Sequence, residues 1–390
     1  YTTPPTNPFT LGGPGSSQRT LTINVATSFK GAITEANAGT GIIKLGAATL
    51  TFGNATAAEG ANTYTGLTDI QAGELDLNKS ASKDALAGDV QVGGTGTILK
   101  LLNAEQIKDT ASVTVNTGGT FNLNGNNETI AALNGNGGTV TSTGAPTLTV
   151  GSNNATGSYA GTIAGTLKLT KTGAGVETLT GANTYTGATT ISNGTLQLGD
   201  GGSTGSLSAS SAISLSSGGT FTINRNNAVV QGTDFSSSAI TGTGKFEQIG
   251  SGSTTLNVAN SYSGGTTISG GTLIASASGA LGSGGVNLNA ASVTLTLSGG
   301  VNPDFINNSA TLTIGFSSDV VNLNYTGTEI VGGLIVLGVA QGPGVYTSVQ
   351  FSELAGLGSI TVVPEPTTIA MTLFGASLLV GVQRFRRKVR

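Results

Sequence analysis

Two carboxylates stand two residues apart in the stretch GELDL: Glu74 and Asp76. In a strand, residues at i and i+2 share a face, so both point away from the face of Leu75 and Leu77. A carboxylate pair near a Lys or Arg is what a polysaccharide lyase or hydrolase needs for acid–base chemistry. Lys83, Asp84 and Asp89 follow closely but form no motif with the pair. The equivalent segments elsewhere in the chain carry Thr195 and Gln197, or Thr272 and Ile274. The pair therefore reads as a solvated edge rather than a catalytic dyad.

The rest of the catalytic repertoire is thin. The 390 residues contain no His, no Cys and no Trp. That excludes Ser-His-Asp triads, Cys-His dyads, disulfides and the usual zinc sites. The glycine-rich stretch 199–205 lacks the Lys and the following helix of a phosphate loop. It also lacks the regular Asp spacing of calcium-binding nonapeptide repeats. Asn54 and Asn324 begin Asn-x-Thr triplets, which chance supplies in so Asn- and Thr-rich a chain. No catalytic residue, cofactor or metal is expected, and the chain reads as non-enzymatic.

What the sequence does contain is repetition. GANTYTG occurs at 60–66 and again at 181–187, and ANSYSG at 259–264. The surrounding residues align as ANTYTGLTDIQAGELDL, ANTYTGATTISNGTLQL and ANSYSGGTTISGGTLIA. Their shared skeleton is Tyr-x-Gly-x-Thr-x-Ile, two residues, Gly, then x-Leu-x-apolar. Tyr64, Gly66, Thr68 and Ile70 fall on one strand face, as do Tyr185, Gly187, Thr189 and Ile191. Gly73 and Gly194 then mark turns where positive φ costs little. A second strand follows, with Leu75 and Leu77, or Leu196 and Leu198, on one face. A further block repeats as SVTVNTGGTFNLNGNN from Ser112 and AISLSSGGTFTINRNN from Ala212. Leu179 and Leu256 precede Asn183 and Asn260 by four residues, whereas Leu50 precedes Asn62 by twelve. That implies an eight-residue insertion, roughly 54–61, budding from one coil.

Short Thr-, Val- and Ile-rich strands, 63 glycines and no helical periodicity suit an all-β parallel β-helix, a solenoid with a short C-terminal hydrophobic helix. At roughly 20–25 residues per coil, about 15 coils would stack about 4.8 Å apart. An antiparallel β-sandwich array obeys the same alternation. The expected organisation is an extended N-terminal arm and cap over 1–27, a repeat body over 28–363 and a tail over 364–390. In a solenoid, Asn62, Tyr64, Asn183, Tyr185, Asn260 and Tyr262 could form repeat ladders, with Asn amides bonding along the axis and rings overlapping.

The two ends differ in chemistry. Five of the 16 basic residues fall in the last seven positions: Arg384, Arg386, Arg387, Lys388 and Arg390. The remainder has a net charge of −8, which argues against a nucleic-acid partner. Before the cations lies an apolar run, 367–382, long enough as a helix for about 24 Å of hydrocarbon. The cations would hold its end in the cytoplasm, so the tail would insert transiently in the membrane. At the other end TTPPTNP should be extended, an arm able to pair with a neighbouring subunit's edge.

Pro364-Glu365-Pro366, the apolar run and the terminal cations resemble the PEP-CTERM sorting signal of Gram-negative bacteria. The resemblance implies that Pro364, Glu365 and Pro366 are recognised by an exosortase-type processing enzyme, with Arg384, Arg386, Arg387, Lys388 and Arg390 as the basic stop signal. The tyrosine blocks resemble autotransporter-associated β-strand repeats, whose opening Lys-Thr-Gly-x-Gly is matched by Lys171-Thr172-Gly173-Ala174-Gly175. The segment 334–362 resembles the closing module common before such tails. Together these imply a secreted protein of the cell surface or extracellular matrix, with a structural or adhesive role in a biofilm and exopolysaccharide as a partner. Two other readings stay open. One is a filament subunit that homopolymerises through its coil ends or N-terminal arm. The other is a polysaccharide-binding or polysaccharide-active β-helix.

Overall fold

A computed structural model describes residues 9–13, 15–55, 59–80, 83–301 and 303–363. Nearly all of the regular structure is strand, and nearly every strand pairs in parallel with the strand one coil on. The only helical element among the described residues is a single 3-10 turn, Ser152–Asn154. The architecture is a parallel β-solenoid, as the repeats implied, and not an antiparallel sandwich array.

One column of inward residues shows the stacking. Leu21 pairs with Lys44, and the column continues through Ile70, Val92, Val115, Gly135, Tyr159, Leu179 and Leu198. It then runs through Ile223, Gln248, Ile268, Leu288 and Ile314 to Val336. Parallel strand partners lie between 19 residues apart, as for Thr120 and Thr139, and 27 apart, as for Ser214 and Thr241, until the last coil, where Val321 and Leu354 are 33 apart. The strands alternate buried and half-buried residues, so each coil sends every second side chain into one continuous core from Leu11 to Val362. Apolar side chains stacked on their own kind at strand spacing make that core possible with so few aromatics.

Glycine does two separate jobs in the repeated skeleton. Gly73, Gly194 and Gly271 have φ of 67°, 67° and 55°, the left-handed turn that ends the first strand. Gly66, Gly187 and Gly264 sit where the previous coil passes close. A Cβ there would lie 2.4, 2.1 and 2.4 Å from a carbonyl oxygen of Gly39, Leu167 and Gly244 respectively.

The ends of the stack are unlike. At the C-terminal end two of the sheets finish on antiparallel strands. Val339–Ala340 folds back on Gly333–Val336, and Gly344–Tyr346 lies antiparallel to Ser359–Val362. Those strands occupy the edges on which another parallel coil would grow, so that end is blunted against end-to-end stacking. At the N-terminal end Phe9–Leu11, Arg19–Thr22 and Thr27–Phe29 each pair only with the following coil. Within the expected arm and cap, 1–27, the described residues from 9 on hold strands in register with the next coil. Residues 1–8 and the tail 364–390, with its expected hydrophobic helix, lie outside the described residues. Among the described residues no helix is long and apolar enough to cross a membrane.

Candidate functional site

The repeated phrase places its Asn and Tyr inside the solenoid and the Thr or Ser that follow each of them outside. Tyr64, Tyr185 and Tyr262 are fully buried. Each phenol is hydrogen-bonded to the Thr four residues on: Tyr64 to Thr68 at 2.7 Å, Tyr185 to Thr189 at 2.6 Å, Tyr262 to Thr266 at 2.6 Å. Burial raises all three phenol pKa values, with the Thr hydroxyl pulling the other way. A Tyr at this point fills the core with its ring, and its buried hydroxyl finds its partner in that Thr.

The Asn two residues before each Tyr reaches along the axis in both directions. Asn62 Oδ1 accepts from the Ile33 N–H of the previous coil (2.8 Å), and its Nδ2 donates to the Ala85 carbonyl of the next (2.7 Å). Asn183 does the same between Ile163 (2.9 Å) and Ser206 (2.9 Å). Asn260 joins Ile240 (2.8 Å) and Ala280 (2.7 Å), and also pairs with the Gln231 amide. Three coils are thus stapled by one amide, whose oxygen and nitrogen meet one donor and one acceptor of backbone that the strand ladder leaves over.

These residues do not stack on one another as an Asn or Tyr ladder. The axial neighbours of Asn62 are Ile33 and Ala85, and several coils separate each copy from the next. Nor do all three copies share a face. The column through Ile70 meets copy three at the equivalent Ile268, but copy two at Leu198, in its second strand. Only Tyr262 has a ring neighbour, Phe246, at 6.2 Å.

A fourth element of the staple was only partly visible in the sequence. Lys171, Lys44 and Gln248 occupy one position, each paired with the Ile of its repeat: Ile191, Ile70 and Ile268. All three are buried and donate to carbonyls at a corner. Lys44 Nζ reaches Gly46, Ala48 and Ala72 at 2.8, 2.8 and 2.6 Å. Lys171 reaches Thr172, Gly173 and Asn193, and Gln248 reaches Gly250 at 2.8 Å. Burial lowers the pKa of both lysines, with Glu74 and Glu177 respectively acting against it. The strand register makes Phe52, not Leu50, the counterpart of Leu179, since Leu50 pairs with Leu75 as Glu177 pairs with Leu196. The corner after Lys44 is therefore as long as that after Lys171, and the loop before Asn62 is longer than its counterpart by six residues rather than the expected eight.

Glu74 and Asp76 stand on the outer side of their strand with Lys100 of the next coil, whose Nζ lies 3.2 Å from Glu74 Oε1. Desolvation, then the adjacent Glu74 carboxyl, raises the Asp76 pKa to about 7. Asp89 is used structurally, accepting from the Ser112 N–H at 2.8 Å. Neither Lys83 nor Asp84 is brought into this pair by a hydrogen bond or ion pair among the described contacts. No group of three or more Asp or Glu suited to a metal occurs among the described residues. A shallow polar trough of about 350 Å³ lies elsewhere, lined by Lys245, Thr267, Asn287, Thr311 and Thr313. The sorting residues Pro364, Glu365, Pro366, Arg384, Arg386, Arg387, Lys388 and Arg390 lie outside the described residues.

Three stretches of the chain that contain the staple residues match a known repeat. Residues 42–77, 169–198 and 246–275 match the passenger-associated-transport-repeat model. Each match begins just before the buried Lys or Gln and ends on the second strand of a tyrosine block. The chain is also 34% identical, over 334 residues, to the adhesin BmaC autotransporter of Brucella suis biovar 1 (strain 1330). That alignment takes in 74% of this chain but 8% of that adhesin, so the chain spans less than a tenth of its relative's length. No solved structure matches. The protein is thus an all-β solenoid carrying three passenger-type repeats and resembling a stretch of a bacterial surface adhesin.

Proposed function

We propose that this chain is a non-enzymatic, adhesin-type rod displayed on the surface of a Gram-negative bacterium, working in the extracellular or biofilm matrix. The observation that carries this reading is the burial of the Asn and Tyr of each copy and of the Thr that bonds the Tyr. These residues hold coils together, and only the small hydroxyls between them, such as Thr63, Thr65, Thr184 and Thr186, face outward. What repeats is therefore length and stiffness, which suits a stalk or spacer. The outer surface is left to Thr, Ser, Asn and Gly, with few charges, a surface fit for many weak hydrogen bonds to glycans. The trough around Lys245 is the best-formed place for such contact. Stacking on tyrosine is disfavoured, because the repeat tyrosines are inside. The tail fits a sorting role: insertion of 367–382 would hold the chain at the membrane until a processing enzyme acts near Pro364-Glu365-Pro366.

The test is deletion of the gene in producing cells, followed by assays of attachment and matrix cohesion, with antibody labelling of intact wild-type cells. Surface labelling with loss of attachment on deletion is expected. Unlabelled intact cells with a purely intracellular protein would overturn the proposal.

A further inference from the structure

Twelve large apolar side chains stand exposed among the described residues, and seven of them fall between Ile330 and Val363. Val349 and Leu357 are 90% and 91% exposed. Ile330 and Val345 flank Thr361 across the three-stranded sheet that ends the solenoid, giving that sheet an aliphatic outer row. The same stretch, 330–363, contains one charged residue, Glu353, and it is buried. Residues 1–329 carry a net charge of −6, so this end is set apart twice, by exposed aliphatic surface and by near absence of charge.

The chain leaves the solenoid at this same end. Only Pro364, Glu365 and Pro366 separate Val363 from the apolar run 367–382. Three extended residues reach about 10 Å. If the run inserts, the last coil and its antiparallel caps are held within that distance of the bilayer surface. A charged end would meet desolvation there, whereas exposed Val and Leu gain by entering the headgroup layer.

We infer that the C-terminal end of the solenoid is a membrane-facing surface, whose exposed aliphatic side chains enter the headgroup layer of a lipid bilayer. This rests on the reading that 367–382 inserts. The acidic, polar remainder of the rod then projects away from the membrane, with its N-terminal coil outermost.

The chain has no native Cys, so single-Cys variants of the full chain can carry an environment-sensitive dye. Val349→Cys and Leu357→Cys probe the end surface, Val25→Cys the far end and Ala376→Cys the tail. Each labelled chain is reconstituted in phosphatidylcholine vesicles containing lipids with quenchers in the headgroup or deep in the acyl chain. The expected result is deep quenching at 376, headgroup quenching with a several-fold rise in emission at 349 and 357, and no change at 25. Deep quenching at 376 with labels at 349 and 357 behaving like that at 25 overturns the inference while leaving tail insertion intact. No quenching at 376, 349 or 357 overturns both. Quenching at 349 and 357 without quenching at 376 supports the surface and removes the tail reading. As a second measurement, Val349→Glu with Leu357→Glu should abolish headgroup quenching of a label at Val345→Cys; persistence of that quenching contradicts the inference. Both sites are almost fully exposed, so these changes leave the core untouched.

Discussion

Asn183 Oδ1 lies 2.9 Å from the backbone nitrogen of Ile163, one coil back along the axis. Its amide nitrogen meanwhile reaches the Ser206 carbonyl one coil forward. Removing that amide leaves the buried Ile163 N–H without its partner, while the Ser206 carbonyl keeps the Asn183 backbone N–H. Asn183→Ala should therefore destabilise the solenoid by about 1–3 kcal/mol. Asn287→Ala, on the outer side of its strand, should cost less than about 0.5 kcal/mol. Urea unfolding followed by circular dichroism gives both values, and equal midpoints for the two variants would contradict the staple.

Tyr185 separates ring packing from hydroxyl bonding. Tyr185→Phe keeps the ring and loses the bond to Thr189, which still has Ser211 at 2.8 Å. A loss of about 1 kcal/mol is expected. Tyr185→Ala empties a fully buried site and should cost about 3–5 kcal/mol. The same unfolding assay should rank the two in that order.

Gly194 combines φ of 67° with a close neighbour, since an added Cβ would lie 2.4 Å from the Gly173 and Gly175 oxygens. Gly194→Ala should cost more than about 1 kcal/mol through backbone strain and crowding together. Gly202→Ala, at a half-buried position without positive φ, should be tolerated. A melting temperature lowered by both changes alike would contradict the assignment.

Buried and half-buried carboxyls make stability depend on pH near neutrality, and Glu177 and Glu329 are two of them, beside Glu128 and Asp76. Burial raises Glu177 to about 8, outweighing the Leu133 N–H and the Lys171 charge, and raises Glu329 to about 7, outweighing the N–H groups of Ile306 and Phe305. The folded state then binds these protons more tightly than the unfolded chain. The stability they contribute is full below the ordinary carboxyl pKa, near 4.5, and is lost as pH rises through 7 and 8. The melting temperature should fall between pH 5 and pH 8.5, and Glu177→Gln with Glu329→Gln should flatten that slope. A melting temperature that rises across this window would contradict the assignment.

The class of fold was legible because the Tyr-x-Gly-x-Thr-x-Ile spacing fixes which residues face inward, and Gly73 and Gly194 take the positive φ their place after a strand demanded. The mutual placement of the copies was not legible. Coils of 19 to 27 residues let the phase drift, so copy two stands one face away from copies one and three. For the same reason Asn62, Asn183 and Asn260 work singly rather than as a ladder. Lys44 and Gln248 are hard to read from the sequence because the longer loop before Asn62 shifts one relative to its tyrosine block and the other exchanges a cation for an amide. Either donor can serve corner carbonyls. The antiparallel caps had no repeat to reveal them, since each occurs once.

The central claim is that the repeated phrase is internal stapling of a surface rod and not an outward binding motif. Iodination of the folded chain with peptide mass spectrometry tests it most directly. Tyr64, Tyr185 and Tyr262 should remain unmodified while Tyr346, which is only half-buried, reacts, and the three should become reactive only when the chain is unfolded. Modification of those three tyrosines in the folded chain as fast as Tyr346 would contradict the account.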